Sequence, residues 1–182
     1  LSSMIQKTKF TNLFFVPSHI RLSGVDLELA QALDNGGSIK KAIEQVKGNY
    51  DYIIIDNPPA LGLLTINAFT ASDSLIIPVS TAYFALTGLV QLQETVDMVK
   101  TQLNPSLKIL GVLCTFVENT NVSRDVQREV QSYFGDLAFT ATIPKNVSLE
   151  EAHSNHSHIF DYSPGSSGAK AYKKLIQEVL KR

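Results

Sequence analysis

One cysteine, Cys114, stands among the 182 residues, so no disulfide can close within the chain. A lone thiol inside an apolar run suits a reducing cytoplasm and reads as a buried structural group. A surplus of charge is missing too. Sixteen basic side chains oppose seventeen acidic ones, a net charge of −1, so no global field advertises nucleic acid. No apolar stretch approaches the length of a membrane span, and Leu1 to Phe10 lacks the pattern of a secretory signal. Internal repeats, low-complexity tracts and a linker that would split the chain are also absent. The expectation is a single domain over 1–182, and 44% hydrophobic residues are enough for one large core.

What is present begins with Tyr50-Asp51-Tyr52-Ile53-Ile54-Ile55-Asp56-Asn57-Pro58-Pro59. Three consecutive β-branched isoleucines predict a strand covered on both faces, as in a parallel sheet with helices above and below. Two prolines end it, because they cannot continue a backbone ladder. A carboxylate at the carboxyl end of a central strand stands where open α/β sheets bind ligands. In nucleoside triphosphatases an acid so placed helps to hold magnesium beside the phosphates. The plainer reading of Asp56 is a solvated acid opening a loop.

Downstream, strand and helix alternate. Ser74 to Val79 and Leu107 to Cys114 are further apolar runs, and Phe139 to Ile143 is a shorter one. Leu63 to Ala71, Leu86 to Leu103 and Val122 to Phe134 carry apolar residues at helical spacing. In the longest, Leu89, Leu92, Val96, Val99 and Leu103 mark one stripe to be buried. Upstream, Leu13 to Val16 reads as a strand and Val25 to Leu33 as an amphipathic helix. Such β–α units predict an α/β fold, doubly wound, with a mostly parallel sheet and helices on both faces.

Tyr50 through Thr65 (YDYIIIDNPPALGLLT), Ile77-Pro78-Val79 and Tyr83-Phe84-Ala85-Leu86-Thr87-Gly88-Leu89 resemble the ParA/Soj group of chromosome- and plasmid-partition ATPases. So do Leu103-Asn104-Pro105, Ile109-Leu110-Gly111-Val112, Ile143-Pro144-Lys145-Asn146-Val147 and Ser167-Gly168-Ala169-Lys170-Ala171-Tyr172. Leu13 to Glu28 fits the preceding strand–helix. The likeness runs in order along nearly the whole chain. It implies a P-loop NTPase-like fold, ATP and Mg2+ as cofactors, an ATP-dependent homodimer and non-specific DNA binding. It also implies a ParB-type centromere-binding partner that stimulates hydrolysis, with the protein cytoplasmic and associated with the nucleoid. Carried over by residue, Asp56 becomes the magnesium-side acid, acting through a coordinated water. Pro58 and Pro59 stiffen the adjoining switch segment. Asn57 replaces a more usual Thr or Cys. Pro144, Lys145 and Asn146 become the loop that packs on the adenine, although the plainer reading is a proline turn leading to a helix N-cap.

The departure from that family is an absence. A phosphate loop needs successive backbone N–H groups, a lysine for the β/γ-phosphates and a hydroxyl for magnesium. No Gly-Lys-Ser or Gly-Lys-Thr occurs in these 182 residues. Asn35-Gly36-Gly37-Ser38-Ile39-Lys40-Lys41 has its lysines too late and no buried strand before it. It reads as a turn between helices, with Gly36 a C-cap and Ser38 the next N-cap. The expectation is a chain lacking the family's N-terminal phosphate-loop portion and, by itself, inactive toward ATP.

Candidate DNA contacts are Arg124 and Arg128, one helical turn apart, and Lys170, Lys173 and Lys174, although each alone reads as a solvated charge. Ser148 stands where the family often has a cation, followed by Glu150 and Glu151, which thins the basic surface there. His153, His156 and His158 have no Cys beside them and no closed-site spacing, so a turn rather than a metal site is expected. From Lys170 to Arg182, Tyr172, Leu175, Ile176 and Val179 share a face expected to cover the sheet. A basic amphipathic helix can also lie on an anionic membrane, as in the related MinD division-site ATPases. A MinD-like spatial regulator and a non-catalytic interaction module are the alternatives to a partition ATPase. A membrane is not the expected partner.

Overall fold

A computed structural model describes residues 1–24, 37–82 and 86–182. The chain divides into two units, Leu1–Asp73 with Gln91–Leu107, and Ser74–Val90 with Lys108–Arg182. The helix expected over Val25 to Leu33, the C-cap at Gly36 and the Tyr83-Phe84-Ala85 segment lie outside the described residues.

In the first unit, Gln6–Lys7 (β1) and Phe14–Phe15 (β2) pair antiparallel. The Phe14 ring meets Tyr50 edge-on, with centroids 5.6 Å apart. Ser38–Glu44 (α1) begins at Ser38 itself and Gly37 holds the cap position, so Ser38 is not the capping residue expected of it. Helix α1 packs against Leu63–Ala71 (α2). Leu86–Gln102 (α3) begins in the second unit and continues into the first from Gln91, and it buries Leu89, Val96 and Val99, three members of the expected stripe. Leu103 lies just past its end and stays exposed. Asn104, buried, donates from Nδ2 to the carbonyls of Phe69 and Ser72 at 3.1 and 2.7 Å, and accepts the Ser106 hydroxyl. Those carbonyls lie at the C-terminal end of α2, where the Phe69 carbonyl also accepts the Ser72 N–H at 3.4 Å. The Leu-Asn-Pro motif is thus a clasp across 35 residues.

The isoleucine run departs from expectation. No strand forms between Tyr50 and Ala60, and Ile54 is 92% exposed, with Tyr52 and Ile53 exposed beside it. A β-branched run becomes a strand only when a neighbour supplies ladder partners, and among the described residues none pairs with it.

In the second unit, Ser74–Ser80 (β3) pairs in parallel with Lys108–Thr115 (β4), with one register irregularity between Leu75 and Ile76. The segment from Ala138 to Pro144 runs along the other side of β4. It makes bridges at Val112–Ala138 and Val117–Pro144 and bonds from Phe139 N–H to Val112 and from Ile143 N–H to Cys114, both 2.9 Å. It is a ladder of bridges rather than the full strand expected of Phe139 to Ile143. Gly111 is required here, because a Cβ would collide with the Phe139 ring and the Arg182 guanidinium.

Asn121–Phe134 (α4) buries Ser123, Val126 and Val130, three and four residues apart, and Thr120 caps it by accepting the Ser123 N–H. Val147–Ser154 (α5), Ile159–Tyr162 (α6) and Ser167–Val179 (α7) follow. Helix α7 is capped by Ser166 and sets Leu175 with Leu113, Phe139, Ala141 and Ile143, with Tyr172 and Val179 at the margin. Ile176, expected on that face, is 45% exposed instead. It follows Leu175 by one position, about 100° around the helix, and falls off the buried stripe. Cys114 is buried, and that burial raises its thiol above the ordinary value.

Candidate functional site

The carboxyl ends of β4 and of the 138–144 segment meet in one crossing. Val117 N–H donates to Ile143 O and Lys145 N–H to Val117 O, both at 3.1 Å. Lys145 Nζ reaches the Glu118 carboxylate at 3.2 Å in an exposed pair. Pro144-Lys145-Asn146 is therefore fixed to the loop after β4 by its backbone. Asn146 stands at the N-cap position of α5, yet its side chain caps nothing. Its Nδ2 donates to Ser167 Oγ at 2.7 Å, while Oδ1 is buried with no hydrogen-bond partner among the described residues. A buried amide oxygen without a donor costs free energy, and this one does not serve as the helix cap.

Asp56 belongs to the other unit. It is exposed and follows the unpaired isoleucine run instead of closing a buried strand. Asn57 turns back to donate to Ile55 O at 3.1 Å, and Ala60 N–H donates to Pro58 O at 2.8 Å, so the Pro58-Pro59 segment is a closed turn.

The candidate cations fall in two groups. Arg124 is held by the side-chain oxygens of Asn119 and Asn121, and Arg128 pairs with Asp125 one turn back on α4. Lys170, Lys173 and Lys174 are exposed along α7, with Lys173 Nζ 6.0 Å from the centre of the Phe160 ring. His158 Nδ1 accepts the Asp161 N–H and caps α6. His153 and His158, with Leu149, Phe160 and Tyr172, line a surface cavity of about 320 Å³. Among the described residues no group of three or more His, Cys, Asp or Glu is arranged to hold a metal ion.

Two features escape sequence reading. The Phe116 backbone is left-handed, and beneath it the buried hydroxyls of Thr81 and Ser123 bond across 42 residues. At the far end of β4, Glu178 accepts the N–H groups of Thr140 and Ala141, both at 2.9 Å, and Arg182 Nη2 at 3.1 Å. Burial alone would raise the Glu178 carboxyl, but the Ala141 and Thr140 N–H bonds and the Arg182 guanidinium reverse that and hold it below its ordinary value. Arg182 also donates to the carbonyls of Leu110, Leu137 and Ala138 and lies over the Phe139 ring.

The fold is that of the P-loop ATPases. Cobyrinic acid a,c-diamide synthase from Mycobacterium smegmatis, solved with bound ADP and magnesium, superposes with a TM-score of 0.81 at 29% identity, over 99% of this chain and 66% of its own. The AAA domain family profile matches residues 1–109. The sporulation initiation inhibitor protein Soj of Bacillus subtilis is 48% identical over 177 residues, 97% of this chain and 70% of that protein. The chromosome-partitioning ATPase Soj of Treponema pallidum is 40% identical across 100% of this chain and 72% of its own length. The chain belongs to the ParA/Soj family of partition ATPases.

Proposed function

We propose that the full-length protein carrying this chain binds ATP with Mg2+, closes into a homodimer and binds DNA without sequence preference at the nucleoid. A ParB-type protein is its partner and stimulates hydrolysis. The observation that carries the nucleotide step is Asn146, whose side chain leaves its cap position with a buried acceptor unfilled, on a loop clamped to the end of β4. An amide oxygen there suits the exocyclic amino group of adenine. Asp56 is the magnesium-side acid, its carboxylate open to solvent where a hydrated ion can reach it. Pro58 and Pro59 limit the backbone states of the switch segment. The three lysines of α7 supply phosphate-facing charge, and Arg124 and Arg128 are a second patch already engaged by neighbours.

Turnover by the full-length protein tests the assignment. Asp56→Ala is expected to cut ATP hydrolysis strongly, about 10- to 100-fold, because the metal's positioning is lost, while the far-ultraviolet circular dichroism stays that of the wild type. Wild-type turnover in the variant would refute the role. The 182-residue chain alone, without a lysine-bearing phosphate loop, is the inactive control.

A further inference from the structure

An uninterrupted parallel ladder spaces its bonds evenly, every second N–H of one strand meeting every second carbonyl of the other. Phe139 N–H donates to the Val112 carbonyl at 2.9 Å, so the Ala141 N–H is due at Cys114. The Cys114 carbonyl instead accepts the Ile143 N–H, also at 2.9 Å. Four residues of the segment, Phe139 to Ile143, thus stand against two of β4, Val112 to Cys114. The displaced donors find a partner on α7. Thr140 N–H donates to Glu178 Oε1 and Ala141 N–H to Oε2, both at 2.9 Å, so one carboxylate takes the whole surplus. Arg182 Nη2 bonds Oε1 at 3.1 Å, and the guanidinium is itself anchored on the carbonyls of Leu110, Leu137 and Ala138. Beyond the end of β4, Phe116 gives one residue of the offset back, its φ of 52° kinking the backbone. Val117 then accepts the Lys145 N–H and donates to Ile143 O, both at 3.1 Å, and the loop continues from that register.

We propose that Glu178 is a positioning residue whose carboxylate sets the register of the 138–144 segment on β4, and through it the place of the Pro144-Lys145-Asn146 loop. Its bearing on ATP rests on the nucleotide reading above, whereas the register does not. A bulge shifts everything after it and re-aims the side chains that follow. Without Glu178 the Ala141 N–H has lost its acceptor, and the one due to it in a regular ladder is the Cys114 carbonyl. Ile143 then falls opposite Phe116, and Lys145 opposite Glu118 instead of Val117, one residue or about 3.3 Å along the strand. Asn146 moves with Lys145, away from its 2.7 Å bond to Ser167 Oγ. From its last turn, α7 thereby fixes a loop that its first residue touches.

The test reads the hydrogen-bonded pairs directly, as scalar couplings across hydrogen bonds from amide nitrogen to carbonyl carbon in the isotope-labelled full-length protein. Wild type should couple Ile143 to Cys114. Glu178→Ala should lose that coupling and gain one from Ala141 to Cys114. Glu178→Gln is the milder variant, keeping one acceptor oxygen, and should populate both pairs. Leu175→Ala is the control, because it loosens the same helix through its core contact and leaves the carboxylate in place. It should keep the wild-type pairs. Competition for a ribose-labelled fluorescent ATP should show ATP weakened about five- to tenfold by Glu178→Ala, the size of one lost hydrogen bond, with inorganic triphosphate unchanged. Persistence of the wild-type pairs in both Glu178 variants would overturn the proposal, and so would their loss in Leu175→Ala. A shifted register with wild-type ATP affinity would overturn the positioning role. A wild-type protein that binds no ATP would overturn the nucleotide reading, while the couplings would still decide the register.

Discussion

Replacing Glu178 should expose how the C-terminal helix is fastened. Its carboxylate accepts two backbone N–H groups and one guanidinium N–H. Thr140 is exposed, so water can take over its N–H, but Ala141 is buried and its donor would be stranded. Most of the cost of Glu178→Ala therefore falls on Ala141 and on the released Arg182, about 2–3 kcal/mol for a charged acceptor removed from a partly buried site. Glu178→Gln keeps one acceptor oxygen but turns an amide N–H2 toward the other donors, and about 1–2 kcal/mol is expected. The pH dependence has a definite sign. The folded-state carboxyl titrates below its ordinary value of 4.5, so its contribution is complete above that value and is lost as pH falls through the lower folded value. Urea titrations of wild type and Glu178→Gln from about pH 7 into acid should give a stability gap that narrows below pH 4.5. A gap that is absent near neutrality, or constant into acid, would refute the reasoning.

Gly111→Ala places a methyl group against the Phe139 ring and the Arg182 guanidinium, and overpacking of this kind should cost about 1–3 kcal/mol in the same urea assay. Replacing Lys170, Lys173 and Lys174 together with Ala in the ATP-bound full-length protein should weaken retention on non-specific duplex DNA. It should also flatten the salt dependence by about one unit of log–log slope for each DNA phosphate no longer neutralised. Co-sedimentation with anionic liposomes, without DNA retention, would instead favour the MinD-like alternative.

The local elements were legible because their signals are local. Leu63 to Ala71 is a helix at both predicted ends, and β3, β4, α3 and α4 lie within a residue or so of expectation. The isoleucine run shows the limit: β-branching describes what a segment can pair as, not whether a partner is beside it. Leu103 and Ile176 fit a helical period and still lie outside the cores, since periodicity gives a direction but not the edge of the packed face. Of the candidate site, the Pro144–Asn146 loop could be singled out by motif. Its buried, unpartnered acceptor could not, because the side-chain direction depends on Ser167, 21 residues away. The Thr81–Ser123 pair and the Glu178 clasp on Ala141 span 42 and 37 residues, and no composition or spacing rule connects them.

The solvent-facing run from Tyr52 to Ile54 also bears on how this 182-residue chain behaves in a crowd of its own kind. An unpaired β-branched stretch is a template for intermolecular pairing, and Ile54 offers nearly its whole surface to such an encounter. The residues around it work against that outcome. Asp51 and Asp56 set a negative charge at each end, so stacked copies in register would bring like charges together, and Pro58 with Pro59 denies a neighbouring strand its ladder donors. In the 182-residue chain, Asp56, Pro58 and Pro59 are thus placed to oppose intermolecular strand pairing. A substitution at Asp56 changes colloidal behaviour as well as chemistry.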